Sequence, residues 1–138
     1  MRQYAQNLAA LFPKSVVENA LSVAASFEAY QGDPVGFCEA TFGETYTDDV
    51  KTMMESVRDN PVTIAKSANA TGKTHGAARV AAWFIKCFPD AQVYTAAAPP
   101  EDNLRRLLWG EIGSLVNKFP DVFSEFKQNV LHLERGPR

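Results

Sequence analysis

The segment that most restricts how this chain can fold runs from Lys66 to Thr74, with the sequence KSANATGKT. It follows the pattern GxxxxGK(S/T), except that Ser67 stands where the first glycine is expected. An apolar run at 62–65 precedes it, and a largely apolar stretch at 74–88 with helical character follows it. In loops of this kind, successive backbone N–H groups curl around a polyphosphate, and the next helix points its positive end at the anion. The spacing therefore predicts a strand, a phosphate loop and a helix in that order.

This chemistry assigns a role to each residue of the predicted loop. The Lys73 side chain is long enough to reach the β- and γ-phosphates and is the candidate catalytic residue, and the Thr74 hydroxyl is placed to ligate Mg²⁺. The expected cofactors are ATP, or ADP, and Mg²⁺. A chance GKT turn is the alternative interpretation, and the flanking strand and helix patterns make it less favourable. The predicted nucleotide-binding residues are Ser67, Ala68, Asn69, Ala70, Thr71, Gly72, Lys73 and Thr74.

The second half of the chain repeats the alternation of strand and helix. A second strand-like run at 92–98 ends in a double proline, and residues 101–118 carry leucine and isoleucine at helical spacing. The order strand, helix, strand, helix predicts an α/β fold with a partial, doubly wound and mostly parallel sheet of the P-loop NTPase type. A short helix at 122–127 and a strand at 130–134 complete the predicted order.

The residues before the loop are predicted to be helical. Apolar residues recur every three or four positions over 2–30, with a break at Pro13, which indicates two amphipathic helices. A short helix at 35–42 is expected to end at Gly43. A further helix then begins after Thr47, with two aspartates in its first turn.

We accordingly expect two regions in the chain. Residues 1–46 form an N-terminal helical region, and residues 47–138 form the N-terminal portion of a P-loop ATPase domain.

Three stretches together resemble the ATPase domain of phage large terminase subunits, the motors that package viral DNA. They are 62–82, with serine in place of the first loop glycine, then YTAAAP at 94–99, and then NLRRLLWGEI at 103–112. In that family the loop strand, a Thr-x-Ala-Pro-like segment and a helix ending in Leu-Trp-x-Glu-Ile occur in this order. The resemblance covers about residues 33–115. It implies ATP as the fuel, with viral double-stranded DNA, the portal and the small terminase subunit as partners, in the cytoplasm of the bacterial host.

The sequence departs from that family in two ways. The adenine-contacting aromatic-Gln pair of the family would fall near Asp49-Val50, where this chain has neither residue. The strand ending in Asp-Glu, which holds Mg²⁺ and activates water, has no counterpart after Thr74. The resemblance therefore implies a motor fragment truncated before that strand, with poor hydrolysis. Two alternatives stay open: a truncated, non-catalytic nucleotide-binding module, and another P-loop ATPase such as a helicase-like enzyme.

Composition and residue spacing argue against a disordered chain, a generally basic nucleic-acid-binding surface, a metal site and a membrane span. Of the 138 residues 46% are hydrophobic and the net charge is −2, so we expect a buried core and no general coating of basic charge for nucleic acid. The two cysteines and two histidines lack metal-ligand spacing. No apolar stretch has the length of a secretion signal or a membrane span. A helix-terminal or packing role is expected for His75, core packing for Trp83 and Trp109, and a solvated helix face for Arg105 and Arg106.

Overall fold

The computed structural model describes residues 13–15, 18, 26–66, 72–96 and 102–136. A π-helical turn, Leu104–Leu108, leads directly into the last helix, and a β-hairpin follows. The elements described with their bounds are the helices α1 (Pro34–Phe42), α2 (Asp48–Asp59), α3 (Lys73–Cys87) and α4 (Trp109–Lys118), and the strands β1 (Phe126–Asn129) and β2 (His132–Arg135).

Local sequence signals begin and end the first two of these helices. The Asp33 carboxylate accepts a hydrogen bond from the Gly36 N–H at 2.8 Å and so caps α1. Gly43 ends α1 in the left-handed conformation, with φ of 64°. Helix α2 carries two aspartates in its first turn, where carboxylates interact favourably with the helix dipole. The predictions of a helix ending at Gly43 and of a helix beginning after Thr47 are confirmed.

Helix α3 lies at the centre of the core and packs against α1, α2 and α4. The buried indole of Trp83 donates from Nε1 to the Tyr30 carbonyl at 2.8 Å, so its polar atom is satisfied. The rings of Phe37 and Phe42 meet edge to face at 5.7 Å between centroids. This core forms by helix-on-helix packing. Its buried members are Phe37, Cys38, Phe42, Val50, Met54, Ala82, Trp83, Cys87, Leu115 and Phe123.

The prediction of a doubly wound, mostly parallel sheet is wrong. Within the described ranges the sheet has two strands, β1 and β2, and they are antiparallel, with Phe126 opposite Arg135. The run at 62–65 is not part of a strand, and its residues Val62 and Ile64 are 73% and 88% exposed. Residues 92–96 of the second expected strand are likewise outside any sheet, and 97–98 lie beyond the described residues.

The runs at 62–65 and 92–96 do not form strands because strand-forming composition alone does not specify a pairing partner. Valine, isoleucine and tyrosine suit a pleated, half-buried surface, and such a surface exists only where a neighbouring strand supplies it. Helix α3, which a parallel sheet would have covered, instead buries its apolar faces against three other helices. Helix-on-helix packing thereby replaces the expected helix-on-sheet layers.

The hairpin anchors the end of the described chain to α3. The helix expected at 122–127 is wrong, because the chain turns there and then enters β1, while the strand expected at 130–134 overlaps β2. Arg135 on β2 donates to the carbonyls of Ile85, at 2.8 Å, and Pro89, at 2.5 Å. These carbonyls lie at the end of α3, where a cation is favoured by the helix dipole.

The predicted N-terminal helices fall mostly outside the described residues. Residues 14, 15, 18 and 26–28 are helical, and 29–32 form a turn into α1. The division between 1–46 and 47–138 stays a prediction. Within the described ranges, the helices are all too short or too polar to cross a lipid bilayer.

Candidate functional site

Helix α3 begins at the last three residues of the predicted loop. Gly72 caps the helix with φ of 83°, a left-handed conformation that costs glycine little. Its carbonyl accepts the first helical hydrogen bond, from the Gly76 N–H at 2.8 Å. Lys73 and Thr74 are the first two residues of the helix. The helix thus starts where the pattern predicts, whereas Ser67, Ala68, Asn69, Ala70 and Thr71 lie outside the described residues.

Helix α2 packs tightly against this first turn of α3. A Cβ atom added at Gly76 would lie 2.6 Å from the Met53 methyl and 3.1 Å from a Val50 methyl. Glycine at position 76 therefore permits the close approach of the two helices. One consequence is that α2 forms a wall beside Lys73.

A cavity of about 350 Å³ lies between α2 and the extended segment 63–66, and it reaches Lys73. The hydroxyls of Ser56 and Thr63 are hydrogen-bonded across it at 3.0 Å, which joins its two walls. Its volume lies within the range of small-molecule sites. Two cations, one carboxylate and several apolar side chains line the cavity: Lys66, Lys73, Asp49, Val50, Thr52, Met53, Ser56, Thr63, Ile64 and Ala65.

A buried arginine organises a second group of polar residues near the start of α3. Arg79 donates from Nε and Nη2 to the Glu44 carboxylate at 2.9 and 2.8 Å, and from Nη1 to Glu111 Oε2 at 3.0 Å. Glu44 belongs to the loop after α1, and Glu111 belongs to α4. Arg79 therefore ties two separate parts of the chain to α3.

His75 and Tyr46 complete this group, which we call the Arg79 cluster: Arg79, Glu44, Glu111, His75 and Tyr46. The His75 ring lies between the two carboxylates, with Nε2 3.5 Å from Glu44 Oε2 and Nδ1 3.4 Å from Glu111 Oε2. The Tyr46 hydroxyl donates to Glu44 Oε2 at 2.8 Å. Through His75, the cluster thus directly adjoins Thr74 in the first turn of α3.

The contacts within the cluster shift the pKa values of Glu44 and Tyr46. The hydrogen bond from Arg79 holds the pKa of the Glu44 carboxyl at about 2, well below its usual value. Burial, followed by the bond to Glu44, raises the pKa of Tyr46. The neighbouring Cys38 thiol lies 3.7 Å from the Arg79 carbonyl, and burial raises its pKa to about 12. At neutral pH the cluster contains ionised Glu44 beside the neutral phenol of Tyr46, and the adjoining Cys38 thiol is also neutral.

Sequence reasoning missed the Arg79 cluster, although one signal was available. Between His75 and Lys86 the helix sequence is apolar except for Arg79. A lone arginine in such a helix predicts a buried cation, and a buried cation requires carboxylate partners. The partners themselves, Glu44 and Glu111, lie too far away in sequence to be identified without the fold.

The other residues that the sequence singled out have simpler environments. Trp83 is buried in the core as expected, whereas Trp109 is half-buried and donates to the Thr95 hydroxyl at 3.1 Å. Arg105 and Arg106 are exposed, as a solvated helix face requires. Among the described residues no three His, Cys, Asp or Glu side chains are grouped so as to hold a metal ion.

A larger cavity, of about 890 Å³, lies on a different side of α3. Its walls come from α3, the segment 89–95, α4 and the hairpin, and they are largely apolar. The described residues that line it include none of 66–74. We therefore assign the candidate site to the smaller cavity beside Lys73.

Comparison with known proteins gives one partial similarity. A mitochondrial [pyruvate dehydrogenase (acetyl-transferring)] kinase of Drosophila melanogaster is 29% identical over 63 residues, which cover 46% of this chain and 15% of that kinase. No protein-family model matches the sequence. No solved structure matches it either. The similarity to the kinase spans too little of either chain to define a family.

Proposed function

We propose that the start of α3 binds the phosphates of a nucleotide, ATP or ADP, together with Mg²⁺. The observation that carries this proposal is the position of Gly72, Lys73 and Thr74 at the beginning of a 15-residue helix. The first N–H groups of a helix have no partner within it, and they carry the positive end of the helix dipole. Lys73 adds a cation for the terminal phosphates, and Thr74 adds a hydroxyl ligand for Mg²⁺.

The cavity beside Lys73 supports the same proposal, because a nucleotide has both an anionic part and a flat, partly apolar part. The lysines Lys66 and Lys73 suit the phosphates. The methionine and isoleucine side chains in the wall, Met53 and Ile64, suit a base, and Asp49 can accept a hydrogen bond from a ribose hydroxyl or a base amine. Binding in this way depends on a helix start and a cavity, and it needs no parallel sheet.

The wider proposal is that the chain is the ATP-binding part of a phage or prophage terminase large subunit. Its support is the order of the three resembling stretches, 62–82, 94–99 and 103–112. Under this proposal its partners are viral double-stranded DNA, the portal and the small terminase subunit, and it acts in the cytoplasm of the bacterial host.

Nucleotide binding to a Lys73→Ala variant tests the assignment of the phosphate site. Isothermal titration calorimetry with ADP and Mg²⁺ should give a Kd at least about tenfold weaker than in the wild-type chain, because a charge-assisted bond to phosphate is lost. Lys51→Ala is the matched control, since Lys51 lies on α2 and pairs with Glu39 at 3.0 Å. Equal affinities in the wild type and Lys73→Ala would contradict the proposal, as would a wild-type chain that binds no nucleotide.

The magnesium role of Thr74 is tested by the same titrations with and without Mg²⁺. Wild-type affinity should fall when the metal is removed. The Thr74→Val variant, which keeps the shape of the side chain and lacks the hydroxyl, should lose most of this difference. An undiminished response to Mg²⁺ in Thr74→Val would show that the hydroxyl is not a ligand.

A further inference from the structure

Helix α3 carries two cations that are buried to the same extent. The side chains of Arg79 and Lys86 are each 6% exposed. Each pairs with a partly exposed carboxylate, Glu111 (39% exposed) for Arg79 and Glu125 (37% exposed) for Lys86. Seven residues separate the two cations, which is about 10 Å along a helix. They differ in which end of α3 they occupy and in their second partner, which is the Glu44 carboxylate for Arg79 and the Val122 carbonyl for Lys86.

The carboxylates of the Arg79 cluster lie close to the end of α3 at which the phosphates are proposed to bind. Glu44 and Glu111 both contact the ring of His75, the residue that directly follows Thr74. Two negative charges at this position repel an incoming anion, and the start of the helix would bind it less well as a result. The Glu125 carboxylate lies at the other end of the helix and has no such effect.

We propose that Arg79 is a positioning residue for anion binding at the start of α3. Its guanidinium offsets one of the two negative charges of Glu44 and Glu111 and holds their oxygens on its own nitrogens, at 2.8 to 3.0 Å. The positive potential of the helix start is thereby kept for the ligand. This inference rests on the proposed nucleotide binding and adds to it the group that tunes the affinity.

The proposal predicts that affinity and stability change in opposite directions in one variant. Glu111→Gln removes a negative charge near the ligand, so it should tighten ADP binding by about threefold at low salt. It also weakens an ion pair of Arg79, so it should lower the urea midpoint of unfolding. A purely structural role of the cluster predicts weaker or unchanged binding in this variant.

Arg79→Gln should have the reverse effect on affinity, because it leaves two carboxylates without their cation. We expect ADP binding about threefold weaker or more. The difference should shrink as the ionic strength is raised, because salt screens interactions between charges that lie several ångströms apart. Glu111→Gln keeps the bonds between Arg79 and Glu44, so the test holds even if Arg79→Gln does not fold.

Lys86→Gln and Glu125→Gln are the matched controls at the far end of α3. Glu125→Gln, like Glu111→Gln, removes one partly exposed carboxylate from a buried cation, so these two variants should have comparable costs in unfolding free energy. The Kd of Lys86→Gln and Glu125→Gln for ADP should stay at the wild-type value. Equal shifts in affinity for both pairs of variants would show that the effect comes from general destabilisation, and this would overturn the proposal.

The experiment also separates this inference from the proposed function. If wild-type binding requires Lys73 but Glu111→Gln binds ADP no more tightly than the wild type, the positioning role is overturned and the phosphate site stands. If the wild type binds no ADP, or binds it independently of Lys73, the phosphate site and the positioning role both fail. Tighter binding in Glu111→Gln together with unchanged binding in Glu125→Gln supports the role of Arg79.

Discussion

The two charged side chains buried along α3, Arg79 and Lys86, are paired with carboxylates. Arg79 reaches Glu44 and Glu111, and Lys86 reaches Glu125 and the Val122 carbonyl, at 2.7 Å. Among the described residues, every buried side-chain nitrogen or oxygen has a hydrogen-bond partner. A buried charge that loses its partner is far more costly than a pair replaced as a unit. Single substitutions in the Arg79 cluster are therefore expected to have larger effects than surface substitutions of the same kind.

Glu44 links the stability of the protein to pH. Its folded pKa of about 2 lies below the ordinary value of 4.5 that applies to the unfolded chain, so the unfolded state takes up protons first as the pH falls. The stabilisation from Glu44 is complete above about pH 4.5 and is lost as the pH falls toward about 2. We expect the urea midpoint to decrease over this range in the wild type, and to decrease less steeply in Glu44→Gln. Identical pH dependence in the two proteins would refute the ionised pairing of Glu44 with Arg79.

The helices and the extended segments differ in how far their apolar side chains are buried. Phe37 on α1 is fully buried, whereas Ile64 in the extended segment is almost fully exposed. Phe37→Ala should lower the free energy of unfolding by about 3 to 5 kcal/mol, because it leaves a cavity in the core. Ile64→Ala should change it by less than about 0.5 kcal/mol. Urea unfolding followed by circular dichroism measures both, and a large loss in Ile64→Ala would show that the segment 62–66 is packed after all.

The helices could be predicted from sequence because their signals are local. Gly43 ends α1, aspartates begin α2, and Gly72 begins α3, and each acts within one helical turn of its own position. The strands could not be predicted in the same way. The runs at 62–65 and 92–98 have strand-forming composition, but whether they pair depends on residues elsewhere in the chain.

In the candidate site, too, some residues follow from a local sequence pattern and others come together only through the fold. Lys73 and Thr74 were predictable because the pattern GxxxxGK(S/T) is contiguous in sequence. The Arg79 cluster brings together residues 32 to 35 positions apart in sequence, through three separate contacts. Only the packing of α4 and of the loop after α1 against α3 creates that cluster. No pattern along the chain encodes such an arrangement.

In the molecule as a whole, α3 connects two regions with different roles. Its first turns carry Gly72, Lys73 and Arg79. Near its end, Lys86 donates to the Val122 carbonyl, which precedes the hairpin, and the Ile85 carbonyl accepts a hydrogen bond from Arg135 on β2. Under the proposed function, the first region presents Lys73 and Thr74 to the ligand. The second region has its cations engaged with backbone carbonyls and Glu125, which suits it to holding the fold together.

This division of roles leads us to expect that the 138-residue chain binds nucleotide and hydrolyses it far more slowly than a motor does. Phosphoryl transfer requires an aligned water, a carboxylate to activate it and a second anchor for Mg²⁺ besides the loop threonine. Two described carboxylates that contact the first turns of α3, Glu44 and Glu111, are engaged with Arg79 and His75. The hydrogen bond from Arg79 lowers the pKa of Glu44, which makes that carboxylate a poor base. Phosphate release from Mg-ATP, measured with the purified chain, should therefore stay near the rate of the Lys73→Ala variant. Turnover of about one per second or faster, lost in Lys73→Ala and retained in Lys51→Ala, would mean that another carboxylate activates the water and that the chain is a complete ATPase.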